Sequence, residues 1–300
     1  MVNFTADGNK VISLERQIVR NTFLAILFLS FCVFIYFVTV ILHAFFTSPH
    51  VRENARYVLF IHMLINDALM IFVLIFLFPM TIFLVYIPVP ICYALVTFSA
   101  SAFLVTPYNL AIMSLERYLA ICYPLRHAQV CNVQRSLLAI GIMWIVSLAP
   151  QLLDFIAMCY SMPKGFFSAS LVCVWPAFVM NDFQVKLRSF NEISGLSLVG
   201  FVIFYTYINV MVVARKIGSG KSSSFKADKT ILLHALQLGL CMMSYTSSLT
   251  DTYLTKYFFF IPITNFFFFL CLPRFINPLI YGIRDEVFQK HMRKVNFFIS

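Results

Sequence analysis

"MSLERYLAICYPLRH" occupies residues 113–127, at the close of a long apolar run. Glu116 and Arg117 stand side by side there, followed by Tyr118, a second short apolar run and a Pro-Leu-Arg-His turn. The fold turns on whether this acid–base pair is stranded inside a hydrophobic body or lies at its edge. Read as a helix, residues 92–117 rise about 38 Å, slightly more than a bilayer core of about 30 Å. Cys92 then sits at one membrane face and the charged pair at the other, at the water edge, where charges cost little.

The rest of the chain agrees with a lipid solvent. Of its 300 residues 61% are hydrophobic and 11% charged, with 35 Phe and 9 Gly; a soluble domain carries about 25% charged residues. The net charge of +10 does not indicate nucleic acid, because the basic residues lie in short gaps between apolar runs. No basic stretch is interleaved with stacking aromatics. The eight Cys show neither CxxC spacing nor a Cys/His cluster, which argues against zinc. "GSGKSSS" at 218–224 resembles a phosphate-binding loop, but position 215, where that loop needs glycine, is Arg215. It reads as a flexible basic linker. No His-Glu-x-x-His, paired aspartates or metal cluster marks an enzyme.

Seven stretches are long enough to span: roughly 23–46, 58–84, 92–117, 137–158, 193–214, 230–250 and 257–281. Lipid leaves backbone groups no partner but their own helix, so the predicted fold is an all-α seven-helix membrane bundle. With the N-terminus outside, the inner loops and tail hold fourteen Lys and Arg and the outer segments seven. That bias favours an extracellular N-terminus and a cytoplasmic C-terminus. Residues 1–22 read as an extracellular tail without a cleavable signal, 23–281 as the bundle and 282–300 as a basic amphipathic helix on the inner leaflet with a short tail. Asn3-Phe4-Thr5, the single N-x-S/T sequon, falls on the outer side and makes Asn3 a glycosylation candidate. The same topology puts Cys92 on the oxidising side, with Cys159 and Cys173 in the next outer loop as possible partners.

Together these features resemble a class A G protein-coupled receptor. They are Cys92 atop span three, Glu116-Arg117-Tyr118 at its foot, Asn66-Asp67 in span two, Trp144 in span four and Asn277-Pro278-Leu279-Ile280-Tyr281 closing span seven. "MSLERYLAICYPLRH" is close to the signature of the odorant receptor branch, and "KADKTILLHA" at 226–235 is similar to another of its motifs, with Ile231 in place of Cys. The Ser-Leu before Glu116 looks more like fish odorant receptors than mammalian ones. Val38 stands where the family has Asn, span five lacks a proline, and Met242 replaces a typical aromatic.

The resemblance implies roles. Glu116 would hold Arg117 at rest and release it toward a heterotrimeric G protein, with Tyr207 and Tyr281 packing nearby. Cys92 would pair with Cys173, leaving Cys159 free. Asp67 would sit in a polar pocket with Thr106 and Asn277 that holds sodium in the family. Arg274, one turn before Asn277, has two readings: an ion pair with Asp67 in place of sodium, or snorkelling toward the interface. Ser99, Phe103, Leu104, Asn191, Tyr245, Thr246 and Leu249 are candidate ligand-lining residues, a mix of apolar walls and polar groups suited to a small, partly apolar ligand. Ser99 stands where amine receptors carry Asp, and Glu192 either binds a basic group or lies at the outer interface. The implied function is a plasma-membrane odorant receptor, of the type that raises cyclic AMP, with a small-molecule odorant, a G protein and the bilayer as partners and no cofactor beyond that sodium. The rivals are a non-olfactory class A receptor and a transporter. A transporter would show repeated halves, which the sequence lacks.

Overall fold

The computed structural model describes residues 3–163, 165–179, 181–217, 239 and 264–276. Its long elements are α1 (Asn3–Thr47), α3 (Ala55–Ile82), α4 (Val89–Cys122), α6 (Val133–Ser161) and α7 (Asp182–Ile217), with two short helices, α2 (Pro49–Arg52) and α5 (Pro124–Val130), in the connections. Among the described residues, five helical segments are long and apolar enough to cross a membrane: Gln17–Thr47, Ala55–Ile82, Val89–Cys122, Val133–Ser161 and Asp182–Val213. A further apolar segment ends at Ile276. The expected span 230–250, apart from residue 239, and residues 257–263 and 277–281 of the last one lie outside the described residues, as do Tyr245, Thr246, Leu249, Asn277, Pro278, Tyr281 and the expected terminal helix.

Local chemistry sets several boundaries. The Asn54 side chain accepts from the Arg56 amide at 3.0 Å and starts α3; Asn132 does the same for Arg135 at 2.9 Å and starts α6. Pro124 opens α5 from a first-turn position where its missing N–H costs nothing. Pro79, Pro107 and Pro150 lie inside α3, α4 and α6. In lipid such interruptions are tolerated because neighbours re-satisfy the freed carbonyls.

Helix ends differ from the expected span bounds at two places. α1 begins at Asn3, far ahead of residue 23, so the polar stretch continues the first span as helix. The fourth and fifth spans are joined by residues 162–181 rather than about 35, because α7 starts at Asp182. Asp182, Gln184, Lys186 and Arg188 gave that start the look of a loop, but they are the first turns of a helix. This connection also supplies one strand of a small sheet that an all-α reading omits, the other strand coming from the turn between α3 and α4. β1 (Tyr86–Pro88) pairs antiparallel with β2 (Ser170–Val172), Ile87 facing Leu171.

α4 is the central element, packed on α3, α5, α6 and α7. Two apolar clusters fill the bundle. One joins Phe34, Ile41, Leu59, Leu64, Leu110 and Val199 toward the Arg117 end. The other joins Val73, Val89, Cys92, Val96, Met158 and Phe178 under the sheet. Outside them, Phe28, Phe72, Ile145 and Phe201 are exposed, the lipid-facing counterpart of that core. Gly195 lets α7 approach α4: a Cβ there would lie 2.7 Å from the Tyr108 hydroxyl.

Residues Phe266–Cys271 form a π-helical turn, which holds one residue more than an α-turn. The Leu272 amide accordingly reaches back to the Phe267 carbonyl.

Candidate functional site

The site runs the length of α4. At its sheet end Cys92 is bonded to Cys173, with Cα atoms 5.5 Å apart and a sequence separation of 81. The Thr81 hydroxyl donates to the Cys173 carbonyl at 3.2 Å, and the Val89 amide to the Ala169 carbonyl at 3.0 Å. Disulfide, sheet and these bonds seat the connection on the ends of α3 and α4. Cys159 is a free, exposed thiol.

About two to three turns further along α4 come the ligand candidates. The Ser99 hydroxyl is buried without a hydrogen-bond partner among the described residues. Phe103 lies one turn on, half-buried on the same face, and Leu104 is buried beside it. Asn191 is partly buried on α7, its carbonyl accepting from the Ser194 hydroxyl at 3.3 Å.

The middle of the bundle is polar. Asp67 is 1% exposed and accepts from the Thr106 hydroxyl at 2.8 Å. Asn66 donates to the Thr106 oxygen at 3.1 Å and to the Ala102 carbonyl at 2.9 Å. Arg274 is 2% exposed, and its Nε lies 3.9 Å from Asp67 Oδ1. Its Nη1 donates to the Leu270 carbonyl at 2.9 Å, and its guanidinium carbon stands 5.0 Å from the Phe103 ring centre. Of the two readings of Arg274, the inward one describes this geometry.

Sequence reasoning missed two neighbouring networks. The Trp144 indole donates to His62 Nε2 at 3.0 Å, while Asn109 Nδ2 contacts His62 Nδ1 at 3.1 Å and donates to the Leu59 carbonyl at 3.0 Å. The spacing of His62 one turn before Asn66 on α3 was a readable sign of it. Near the sheet end, Arg188 holds Asp154 through two bonds, Nε to Oδ1 at 3.1 Å and Nη2 to Oδ2 at 2.6 Å. Gln184 adds a third at 3.2 Å. A carboxylate inside the apolar run of span four was the available signal, because such a group requires a partner.

At the far end of α4, Glu116 is 8% exposed and its Oε1 lies 2.9 Å from His127 Nε2 on α5. The expectation gave Glu116 to Arg117; the contact the structure gives it is His127. Arg117 is partly buried next to it. Tyr118 meets Tyr123 and Tyr205 edge-on, with centroids 5.8 and 6.1 Å away, and Tyr207 is 40% exposed. Nearby Cys131 has its thiol pKa raised by burial first and by the Glu116 carboxylate second, with Arg135 opposing.

A central helix pinned by a disulfide at one end, polar in its middle and ending in an acid–Arg–Tyr step defines an integral membrane receptor. Known proteins agree. The family model described as "7 transmembrane receptor (rhodopsin family)" matches residues 39–281. Odorant receptor 131-2 of Danio rerio is 31% identical over 217 residues, covering 69% of this chain and 65% of that relative. Olfactory receptor 52A5 of Homo sapiens is 29% identical over 203 residues, covering 63% of this chain and 62% of its own length. The matched region thus spans somewhat less than two thirds of each relative. The chain belongs to the rhodopsin family of seven-transmembrane receptors, and it is a multi-pass membrane protein.

Proposed function

We propose that this receptor binds small extracellular odorants and activates a heterotrimeric G protein of the stimulatory olfactory type, raising cyclic AMP. The observation that carries the reading is the rhodopsin-family match over 39–281, joined by relatives named odorant and olfactory receptors in fish and human. In this reading the N-terminus is extracellular in the plasma membrane, Asn3 carries glycan, and residues 23–281 form the seven-helix unit ahead of a membrane-surface helix. The ligand contacts Ser99, Phe103, Leu104 and Asn191 together with Tyr245, Thr246 and Leu249. The buried hydroxyl of Ser99 supports this, since a ligand group would supply the partner it lacks among the described residues. Arg117, Tyr118, Tyr207, Asn277, Pro278 and Tyr281 carry the change to the G protein, and the Glu116–His127 contact favours the resting arrangement.

The test is nucleotide exchange on added G protein in membranes bearing the full chain, against a panel of amino acids, bile acids, nucleotides and small volatiles. A stimulating member is expected, and Arg117→Ala should abolish the stimulation at unchanged surface expression. Stimulation undiminished by Arg117→Ala would sink the coupling role.

A further inference from the structure

The resemblance implies a sodium ion at Asp67, and the residues present do not fit one. A cation site needs lone pairs turned inward and a net negative charge. Here the Thr106 hydroxyl donates its proton to Asp67 Oδ1 at 2.8 Å, and the same oxygen has the Arg274 Nε 3.9 Å away. A monovalent ion placed on that carboxylate would lie within a few ångströms of a guanidinium in a medium that screens poorly, where like charges repel strongly. The guanidinium is not there by chance of a loose surface rotamer. Arg274 is 98% buried by its 2% exposure, Nη1 is anchored on the Leu270 carbonyl, and the Phe103 ring lies 5.0 Å from the guanidinium carbon. That distance is within reach of a cation–π contact.

We propose that Arg274 is a tethered cation that serves in place of a bound one, so that the polar core of this receptor is complete without sodium. Arg274 is then a positioning residue for Asp67, held against the ligand-facing side of α4 through Phe103. It follows that sodium, which would otherwise compete with the active arrangement, has no grip on this chain. The last consequence rests on the receptor reading above; the charge pairing itself does not.

The experiment uses the purified full chain in nanodiscs, melted in sodium chloride and in choline chloride at equal ionic strength. Wild type, Asp67→Asn, Arg274→Gln and the double variant Asp67→Asn/Arg274→Gln are compared. Wild type should melt at the same temperature in both salts. Arg274→Gln should melt several degrees lower or yield little folded protein, because it strands a carboxylate. The double variant should melt above Arg274→Gln, since it removes both charges. Wild type stabilised by sodium, or a double variant no better than Arg274→Gln, would overturn the proposal. Agonist-free nucleotide exchange in the two salts is read alongside. A chain that melts as expected but drives no exchange, with or without the members of the ligand panel, refutes the receptor reading and leaves the pairing intact.

Discussion

At the scale of single residues, the Glu116–His127 contact is the clearest departure from what the sequence led one to expect. The acid and its neighbouring Arg117 are adjacent in the chain, but adjacent residues on a helix do not face each other. α5 brings His127 back under the foot of α4 instead. The His127 side chain is 30% exposed, so the contact is a modest restraint, of about 0.2–1 kcal/mol. His127→Ala is accordingly expected to raise agonist-free nucleotide exchange by up to about fivefold, scored against surface expression. Cys131 tests the same neighbourhood chemically. Its raised pKa keeps it a thiol at neutral pH, so iodoacetamide should label it more slowly than an unhindered cysteine at pH 7.4, read by peptide mass spectrometry. Glu116→Gln removes the charge that adds to the effect of burial and should speed the labelling. The sign for stability follows: below the ordinary thiol value of 9.0 the group contributes nothing, and above it the unfolded thiol ionises first, so stability falls with rising pH. Asp154 and Arg188 were each visible in the sequence, but their pairing was not. It needs α7 to begin eleven residues before the stretch expected from hydropathy, and hydropathy does not register a polar turn buried against a partner.

Among elements, the joint between α4 and α7 is set by what Gly195 lacks. Its close approach to the Tyr108 hydroxyl means that even alanine must displace the ring or the helix, and overpacking of this kind costs about 1–3 kcal/mol. Gly195→Ala should therefore lower the melting temperature. Tyr108→Phe in the same chain should restore most of it, because the next nearest ring atom is 3.5 Å from the added Cβ, an ordinary contact. The existence and order of the first five spans were legible from apolar run length alone, since twenty apolar residues in lipid have one outcome. Their ends were less so. α3 stops at Ile82 rather than 84, closed by Val85 reaching back to the Met80 carbonyl at 2.8 Å with Leu84 in the left-handed region at φ 54°. That geometry is the work of glycine in most helix ends, so a leucine there gives no written signal. The β1–β2 pair is equally silent, because three residues a side is too short for an alternating pattern to stand out.

For the molecule as a whole, the Cys92–Cys173 bond is the one covalent tie across the fold among the described residues, and it ties together segments far apart in sequence. Losing it frees the unfolded chain, at a cost of roughly 2–5 kcal/mol in small secreted domains. Cys92→Ser and Cys173→Ser should each cut surface expression severely, and the double variant should be no worse than either, as measured by flow cytometry on an N-terminal tag. Spacing left the partner open between Cys159 and Cys173; the resemblance pointed to Cys173. The polar core was legible in its members but not in its wiring, because Asp67, Thr106 and Arg274 come from three helices whose rotations no linear pattern records. The π-helical turn at Phe266–Cys271 explains that silence for Arg274. An extra residue advances everything after it by about 100° around the helix axis. Four consecutive phenylalanines spell the turn, so the text has no periodicity from which a phase could be read. The turn acts as a vernier on the seventh span: one residue gained or lost there re-aims Arg274 without altering a single atom of it.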